Sequence, residues 1–191
     1  MLNLPADSDF EPTREEILRQ LRAEIAQTKT QRPHANLICS SELFQSRLRS
    51  TSELKRLEEH LQFLGVTEVE VIVYLRQPAE IANSLLSTGL RFGQLWSQPP
   101  EPDSPHVTTI CNHRQTLENY GAVFGNDNLI VRLFDEKEFV NGSIIEDFMT
   151  QVGQPLDVQY QLPRKTNQSL SNLGVELLRR INQQIPYRQQ H

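Results

Sequence analysis

The sequence predicts an α/β fold with a mainly parallel sheet flanked by helices. Segments with helical periodicity alternate along the chain with short apolar segments rich in β-branched residues, which is the order of βαβ units. One such segment, residues 69–75, is apolar on both faces from its third residue onward, as in a parallel strand covered by helices. At 191 residues the chain has the length of one domain. We therefore expect a polar lead-in over residues 1–12 and a single domain over residues 13–191.

The first predicted elements are a helix and a strand. Thr13 and Glu16 have the spacing of a capping box, and the apolar residues after them recur on one helical face, which predicts an amphipathic helix. Residues 36–39 form a short apolar run that ends in a Ser-Ser-Glu sequence. This run predicts a buried strand that opens into a helix or a turn.

A helix, a strand and a further helix follow. Ser50 and Glu53 form a second capping box, leucines then recur at helical spacing, and Gly65 suits the position just after a helix. The strand predicted over residues 69–75 comes next. Pro78 then fits the first turn of the following helix, where its missing N–H has no intrahelical partner to lose.

The second half of the chain continues the alternation. Four prolines between residues 91 and 106 predict a long surface loop. Residues 128–133 predict a third strand. Helices are predicted around residues 109–124, from the capping box of Ser143 and Glu146 to Gly153, and from near Ser171 to just before Pro186.

Composition narrows the classes of function. The net charge is −5, from 19 Lys and Arg against 24 Asp and Glu, which argues against a general nucleic-acid or anionic-membrane binder. Cys39 and Cys111 match no metal-ligand spacing, so we predict free, buried thiols and no metal. No stretch approaches the roughly 18 apolar residues of a membrane span, and the N-terminus lacks the pattern of a secretory signal. We expect a cytoplasmic protein.

Arg76 and Ser84 are the residues most suited to bind a ligand. Ligands of open α/β sheets lie beyond the carboxyl ends of the strands, and Arg76 directly follows a predicted strand. A guanidinium can grip a phosphate with two parallel hydrogen bonds, and a hydroxyl from the next helix can add a third. The alternative is that Arg76 forms an ordinary ion pair with Glu80.

The segment over residues 71–84 resembles the sulfotransferase family. In that family a hydrophobic strand ends in Arg, as at Arg76, a proline often follows, and a Ser lies eight residues after the Arg, as it does here. Residues 128–136 are similar to the next strand of the family, and residues 167–182 are similar to the C-terminal part of some bacterial members. The resemblance runs in order over roughly residues 36–182, which is harder to obtain by chance than one motif.

This resemblance implies a fold like that of the P-loop nucleoside triphosphate hydrolases and a set of site residues. Arg76 and Ser84 would bind the 3'-phosphate of the donor 3'-phosphoadenosine 5'-phosphosulfate, and Arg164 and Lys165 would close over the nucleotide, although a solvated turn explains them equally. Glu42 would be the general base for an acceptor hydroxyl, and the resemblance implies a carbohydrate acceptor. Its alternative role is a helix first turn, where an acid is favoured by the helix dipole.

The resemblance also leaves one part of the family's site without a counterpart. Family members begin with a strand and a Gly/Ser/Thr-rich loop that surrounds the 5'-phosphosulfate, and the printed sequence contains no such loop. We expect either a start upstream of Met1 or a remnant that keeps only the 3'-phosphate half of the site. A remnant would be a non-catalytic nucleotide-binding or interaction module that self-associates through an open sheet edge.

Two further residues have a structural and a functional interpretation. Arg132 follows apolar residues of the third predicted strand and could contact the nucleotide, but an ion pair with Asp135 or Glu136 is the preferred prediction. Trp96, the single tryptophan, could stack on a base or a sugar, and partial burial against the core is preferred. The histidines of the loop region are assigned no catalytic role.

Overall fold

The computed structural model describes residues 11–41, 43–154, 156–157, 160–162 and 169–185, without the side chains of residues 11, 12 and 106. Over these residues the chain forms eight α-helices and one two-stranded parallel sheet. The predicted combination of helices with a parallel sheet is therefore confirmed, although the sheet has two strands where three were expected. The described residues group into two compact units.

The first unit contains the described residues of Met1–Val71 and of Arg114–Leu129. Its helices are α1 (Glu11–Gln31), α2 (Leu43–Arg47), α3 (Thr51–Phe63) and most of α6 (His113–Phe124). Lys29 on α1 donates to the carbonyl of Gly65 at 2.6 Å, and the Arg22 guanidinium lies 4.7 Å from the centre of the Phe63 ring. The charged ends of two long basic side chains on α1 thus contact the end of α3 and the residue that follows its cap.

The predicted start of α3 is confirmed, and the predicted start of α1 is not. Ser50 caps α3 as predicted, with its side chain accepting from the Glu53 N–H and the Glu53 carboxylate accepting from the Ser50 N–H. Gly65 follows the helix with a φ of +84°, a conformation that favours glycine. The capping box at Thr13 was wrong because α1 starts at Glu11. A residue inside a helix lacks the non-helical backbone that an N-cap needs.

Residues 36–39 are not a strand, which corrects the prediction of a buried strand there. They adopt an irregular conformation with Leu37 and Ile38 exposed, and none of the described segments pairs with them. An apolar run becomes a strand only where another strand satisfies its N–H and C=O groups. Cys39 is exposed, contrary to the prediction of a buried thiol, and Cys111 is half-buried.

The second unit contains the described residues of Ile72–His113 and of Ile130–Gln190, and with them nearly all of the sheet. The predicted strands at residues 69–75 and 128–133 are confirmed, and so are the helices predicted after Pro78, after Ser143 and after Ser171. Its elements are β1 (Val71–Leu75), α4 (Pro78–Arg91), α5 (Pro105–Ile110), β2 (Leu129–Leu133), α7 (Ile144–Gln151) and α8 (Asn172–Gln184).

Helix α8 is anchored on α4 by polar contacts. The Asn182 side chain is buried and donates to the carbonyls of Leu90 at 2.8 Å and Gln94 at 2.9 Å. The Ser87 hydroxyl accepts from the Leu170 N–H at 3.2 Å. These bonds tie α8 and the residue before its N-cap to the last turns of α4 and to the segment just after it. None of the helices in the described ranges is long and apolar enough to cross a membrane.

Candidate functional site

Two side chains meet where the parallel strands end. Arg76 is the first residue after β1, and Phe134 is the first residue after β2. The Phe134 N–H donates to the Leu75 carbonyl at 2.8 Å, so the pairing of the strands continues to this point. The Arg76 guanidinium lies 5.3 Å from the centre of the Phe134 ring, within the range of a cation–π contact. Arg76 thus lies at the carboxyl edge of the sheet, as the sequence predicts.

Arg76 forms the ion pair with Glu80 that was considered as the alternative to ligand binding. Its Nε donates to Glu80 Oε2 at 3.0 Å, and the two side chains are 34% and 47% exposed. A pair this exposed contributes little to stability and does not prevent a stronger ligand from binding. Within the described residues, neither terminal nitrogen of Arg76 has a hydrogen-bond partner.

Ser84 lies on α4 and is half-buried. It follows Glu80 by four residues, and side chains at that spacing are neighbours on one helix face. The Arg76 guanidinium, which bonds Glu80, therefore lies beside the face of α4 that carries Ser84. Binding of one anion by Arg76 and Ser84 stays a prediction.

His113 fixes the backbone at the site. Its Nε2 lies 2.8 Å from the carbonyl oxygen of Arg76, so the neutral Nε2–H tautomer or the charged ring donates to it. Sequence reasoning missed this contact and gave His113 no role. The two residues are distant in sequence, and no local pattern links a strand end to the start of α6.

A buried carboxylate holds the two strands to α7. Asp147 is fully buried, and its Oδ1 accepts from an Arg132 terminal nitrogen at 2.6 Å and from the Val140 N–H at 3.2 Å. Its Oδ2 accepts from the Tyr74 hydroxyl at 2.8 Å and from Arg132 Nε at 3.1 Å. We call Tyr74, Arg132 and Asp147 the Asp147 cluster. All four lone-pair directions of the carboxylate are used, as a buried charge requires.

The Asp147 cluster corrects the predicted partner of Arg132. The prediction paired it with Asp135 or Glu136, whereas its guanidinium bonds Asp147 and the carbonyl of Glu138. The sequence favours nearby acids as partners of Arg132 because only residues close along the chain are certain to lie close in space. Arg132 pairs with Asp147 instead because this carboxylate is buried and needs charged hydrogen-bond donors, which the Arg132 side chain, 31% exposed, supplies.

Ionisation in the Asp147 cluster is asymmetric. The hydrogen bonds from Arg132 hold the pKa of Asp147 below its usual range, against the opposing effect of burial. Burial, together with the hydrogen bond to Asp147, raises the pKa of Tyr74 well above its usual range. At neutral pH Asp147 is therefore a carboxylate and Tyr74 a neutral donor. This is the arrangement of a structural anchor, since neither group can exchange a proton near pH 7.

A chain of aromatic rings connects the Asp147 cluster to Arg76. The Phe139 ring makes edge contacts with Tyr74, at 6.0 Å between centres, and with Phe134, at 5.4 Å. Phe139 is buried and Phe134 is 40% exposed. Rings in edge contact restrict one another. The outermost ring, Phe134, thus packs on the buried Phe139 ring and also contacts Arg76.

Three of the other residues predicted for the site fall on positions that the structure does not describe. Glu42, Arg164 and Lys165 lie outside the described residues. The Trp96 ring lies against Gly89 and is 40% exposed, which confirms the preferred prediction of partial burial. In the described part of the chain, no three His, Cys, Asp or Glu side chains are grouped as metal ligands.

Comparison with known proteins gives one short similarity. An uncharacterized protein of Archaeoglobus fulgidus is 33% identical over 69 residues, which are 36% of this chain and 19% of the archaeal protein. The chain thus matches about a fifth of the length of that relative. No protein family matches the chain, and no solved structure matches it.

The geometry at the strand ends suits the binding of an oxyanion. Arg76 offers two terminal nitrogens at the carboxyl edge of a parallel sheet, beside an aromatic ring and a helix face with a hydroxyl. Charge-assisted bonds from a guanidinium to a carboxylate, sulfate or phosphate are the strongest that this set of groups can form.

Proposed function

We propose that this chain is a sulfotransferase-like protein that binds the 3'-phosphate of 3'-phosphoadenosine 5'-phosphosulfate through Arg76 and Ser84. The observation that carries the proposal is the position of Arg76, which directly follows β1 and has terminal nitrogens without a hydrogen-bond partner in the described residues. The reaction would transfer a sulfuryl group from this donor to a hydroxyl on a carbohydrate acceptor, which loses its proton to the general base, and would release 3'-phosphoadenosine 5'-phosphate.

The residues of the site fit the 3'-phosphate of the nucleotide. A phosphate monoester carries more than one negative charge at pH 7, and a planar guanidinium matches two of its oxygens. The Arg76 side chain is 34% exposed, so a ligand can reach it while the Phe134 ring shields one side from water. The carboxylate of Glu80 opposes the ligand's charge, and this repulsion is screened at a half-exposed position.

Glu42, Arg164 and Lys165 have roles in this proposal that rest on the resemblance. Glu42 accepts the proton of the acceptor hydroxyl, which makes the oxygen nucleophilic as the sulfuryl group is transferred. Arg164 and Lys165 contribute positive charge over the nucleotide.

Binding of 3'-phosphoadenosine 5'-phosphate, measured by titration calorimetry, tests the site. Arg76→Ala should weaken binding by about 1.5–3 kcal/mol, the scale of a lost hydrogen bond to a charged group. Arg114→Ala is the matched control, because Arg114 forms an equivalent pair with Glu118, four residues away, at 2.7 Å. Unchanged affinity in Arg76→Ala would refute the site, and absence of binding to the native chain would refute the proposal.

A second candidate function is a non-catalytic interaction module. The observation that favours it is an exposed apolar face on β2, where Val131 and Leu133 point to the same side and are 44% and 58% exposed. This candidate predicts no release of 3'-phosphoadenosine 5'-phosphate from the intact donor with any of a panel of carbohydrates. It also predicts concentration-dependent association in sedimentation velocity that Leu133→Lys abolishes. Turnover by a monomeric chain would exclude it.

A further inference from the structure

We infer that Glu80 is a positioning residue, which holds the Arg76 guanidinium by its Nε so that the two terminal nitrogens face a tetrahedral oxyanion as a fork. The inference deepens the proposed function, since it concerns the same site, but it makes a separate claim about Glu80. A carboxylate next to an anion site would otherwise only repel the ligand, so its presence needs a physical reason.

The hydrogen-bonding geometry of Arg76 gives that reason. A guanidinium has a side edge that includes Nε and a terminal edge that carries the two outer nitrogens. Glu80 bonds to Nε at 3.0 Å, and in the described structure the terminal nitrogens have no partner. Glu80 lies in the first turn of α4, whose backbone starts at Pro78 with a restricted φ, so the backbone that carries Glu80 is well defined.

Two other contacts limit the remaining freedom of Arg76. The Phe134 ring lies 5.3 Å from the guanidinium carbon and restricts how the group can turn. The His113 ring bonds to the Arg76 carbonyl at 2.8 Å and fixes the backbone from which the side chain starts. Contacts from α4 and from the end of β2 thus meet at the Arg76 side chain, and a contact from the start of α6 meets its backbone. An arginine ordered before the ligand arrives loses less entropy on binding.

Positioning and simple charge repulsion can be separated with a charge-matched pair of variants. Glu80→Gln and Glu80→Ala remove the same charge, but only the Gln keeps an oxygen that can accept from Arg76 Nε. Repulsion alone predicts equal affinities in the two variants. Positioning predicts that Glu80→Ala binds about two- to tenfold more weakly than Glu80→Gln, the cost of ordering one flexible side chain on binding.

The experiment titrates each variant with 3'-phosphoadenosine 5'-phosphate and, separately, with inorganic phosphate. Glu118→Gln and Glu118→Ala are the matched controls at the equivalent pair with Arg114, and they should bind alike. The nucleotide binding equally to both Glu80 variants would overturn the positioning role while the proposed function stands. Phosphate binding with the expected difference, without nucleotide binding, would overturn the proposed function and support the positioning role. No binding of either probe would overturn both.

A second measurement needs no ligand. In a chain labelled with ¹⁵N-arginine, the Arg76 Nε–H signal is identified by its loss in Arg76→Lys. Its exchange with water should be slower in the native chain and in Glu80→Gln than in Glu80→Ala, because a hydrogen-bonded N–H is protected. Equal exchange in the native chain and Glu80→Ala would overturn the inference whatever the binding data show.

Discussion

Replacing Asp147 with Asn should reveal how much the second unit depends on one buried carboxylate. The side chain keeps its shape but loses its charge and one acceptor oxygen. If the amide oxygen takes the place of Oδ1, the bonds from the Val140 N–H and from one Arg132 nitrogen remain. The amide NH₂ then faces the Tyr74 hydroxyl and Arg132 Nε, which both donated to Oδ2.

The expected loss of stability follows from the number of hydrogen bonds that the substitution removes. The Tyr74 hydroxyl can turn and accept from the amide, whereas Arg132 Nε can only donate and is left opposite another donor. Hydrogen bonds to charged groups contribute about 1.5–3 kcal/mol each, and removing one partner of a buried pair costs about 3–5 kcal/mol. Because Arg132 is 31% exposed and can regain water, we expect a loss of about 2–4 kcal/mol for Asp147→Asn.

Urea denaturation followed by circular dichroism measures this loss, with the exposed Asp127→Asn as the control. The pH dependence gives an independent check. The pKa of Asp147 is lower in the folded than in the unfolded chain, so its contribution is complete above the unfolded value of about 3.9 and is lost as the pH falls through the folded pKa. In Asp147→Asn the free energy of unfolding should therefore fall less steeply as the pH is lowered. A loss below about 0.5 kcal/mol, the range of ordinary surface substitutions, would refute the anchor role.

Three further substitutions test the packing. Ser50→Ala should cost about 1 kcal/mol by removing the N-cap of α3, and Ser50→Asp should restore most of it, as read from thermal unfolding. Asn182→Ala removes the two hydrogen bonds from α8 to the carbonyls of Leu90 and Gln94. The α8 amides of the variant should therefore exchange with deuterium faster than those of the native chain, while the α3 amides are unchanged. Equal α8 protection in native and variant chains would contradict this. Gly89→Ala would place a methyl group 2.5 Å from the Trp96 ring, which must then move toward water. The fluorescence of this single tryptophan should therefore shift to the red. An unchanged emission spectrum would contradict the packing of Trp96 on Gly89.

Local signals in the sequence predicted the local structure well. The predicted caps at Ser50 and Ser143 are present, and the helix predicted to begin near Ser171 has that residue as its N-cap. A capping residue acts on N–H groups only two or three positions away. The error at Thr13 has the same origin, since the spacing alone does not say whether the helix starts earlier. The run at residues 36–39 failed because a strand depends on a partner elsewhere in the chain.

The site was predictable only in part, because several of its contacts join segments that are distant in sequence. Arg76 could be placed at a strand end because the strand before it is apolar on both faces. Its contact with His113, and the pairing of Arg132 with Asp147, depend on how distant segments pack. No local pattern distinguishes Asp147 as buried, since it stands beside a second acid, Glu146, in the short helix α7. The positions of Glu42, Arg164 and Lys165 relative to Arg76 remain predictions.

The bond from the Phe134 N–H to the Leu75 carbonyl has a consequence for sequence change in this chain. Side chains alternate between the faces of a strand, so inserting one residue into β2 would turn the Phe134 ring to the opposite face, away from Arg76. The irregular residues between α4 and α5 carry no such constraint, and their number can vary while Glu80 and His113 keep their contacts with Arg76. Relatives that share this site should therefore be recognised by the distance of each residue from its own strand end, and not by the number of residues that separates Arg76 from Phe134.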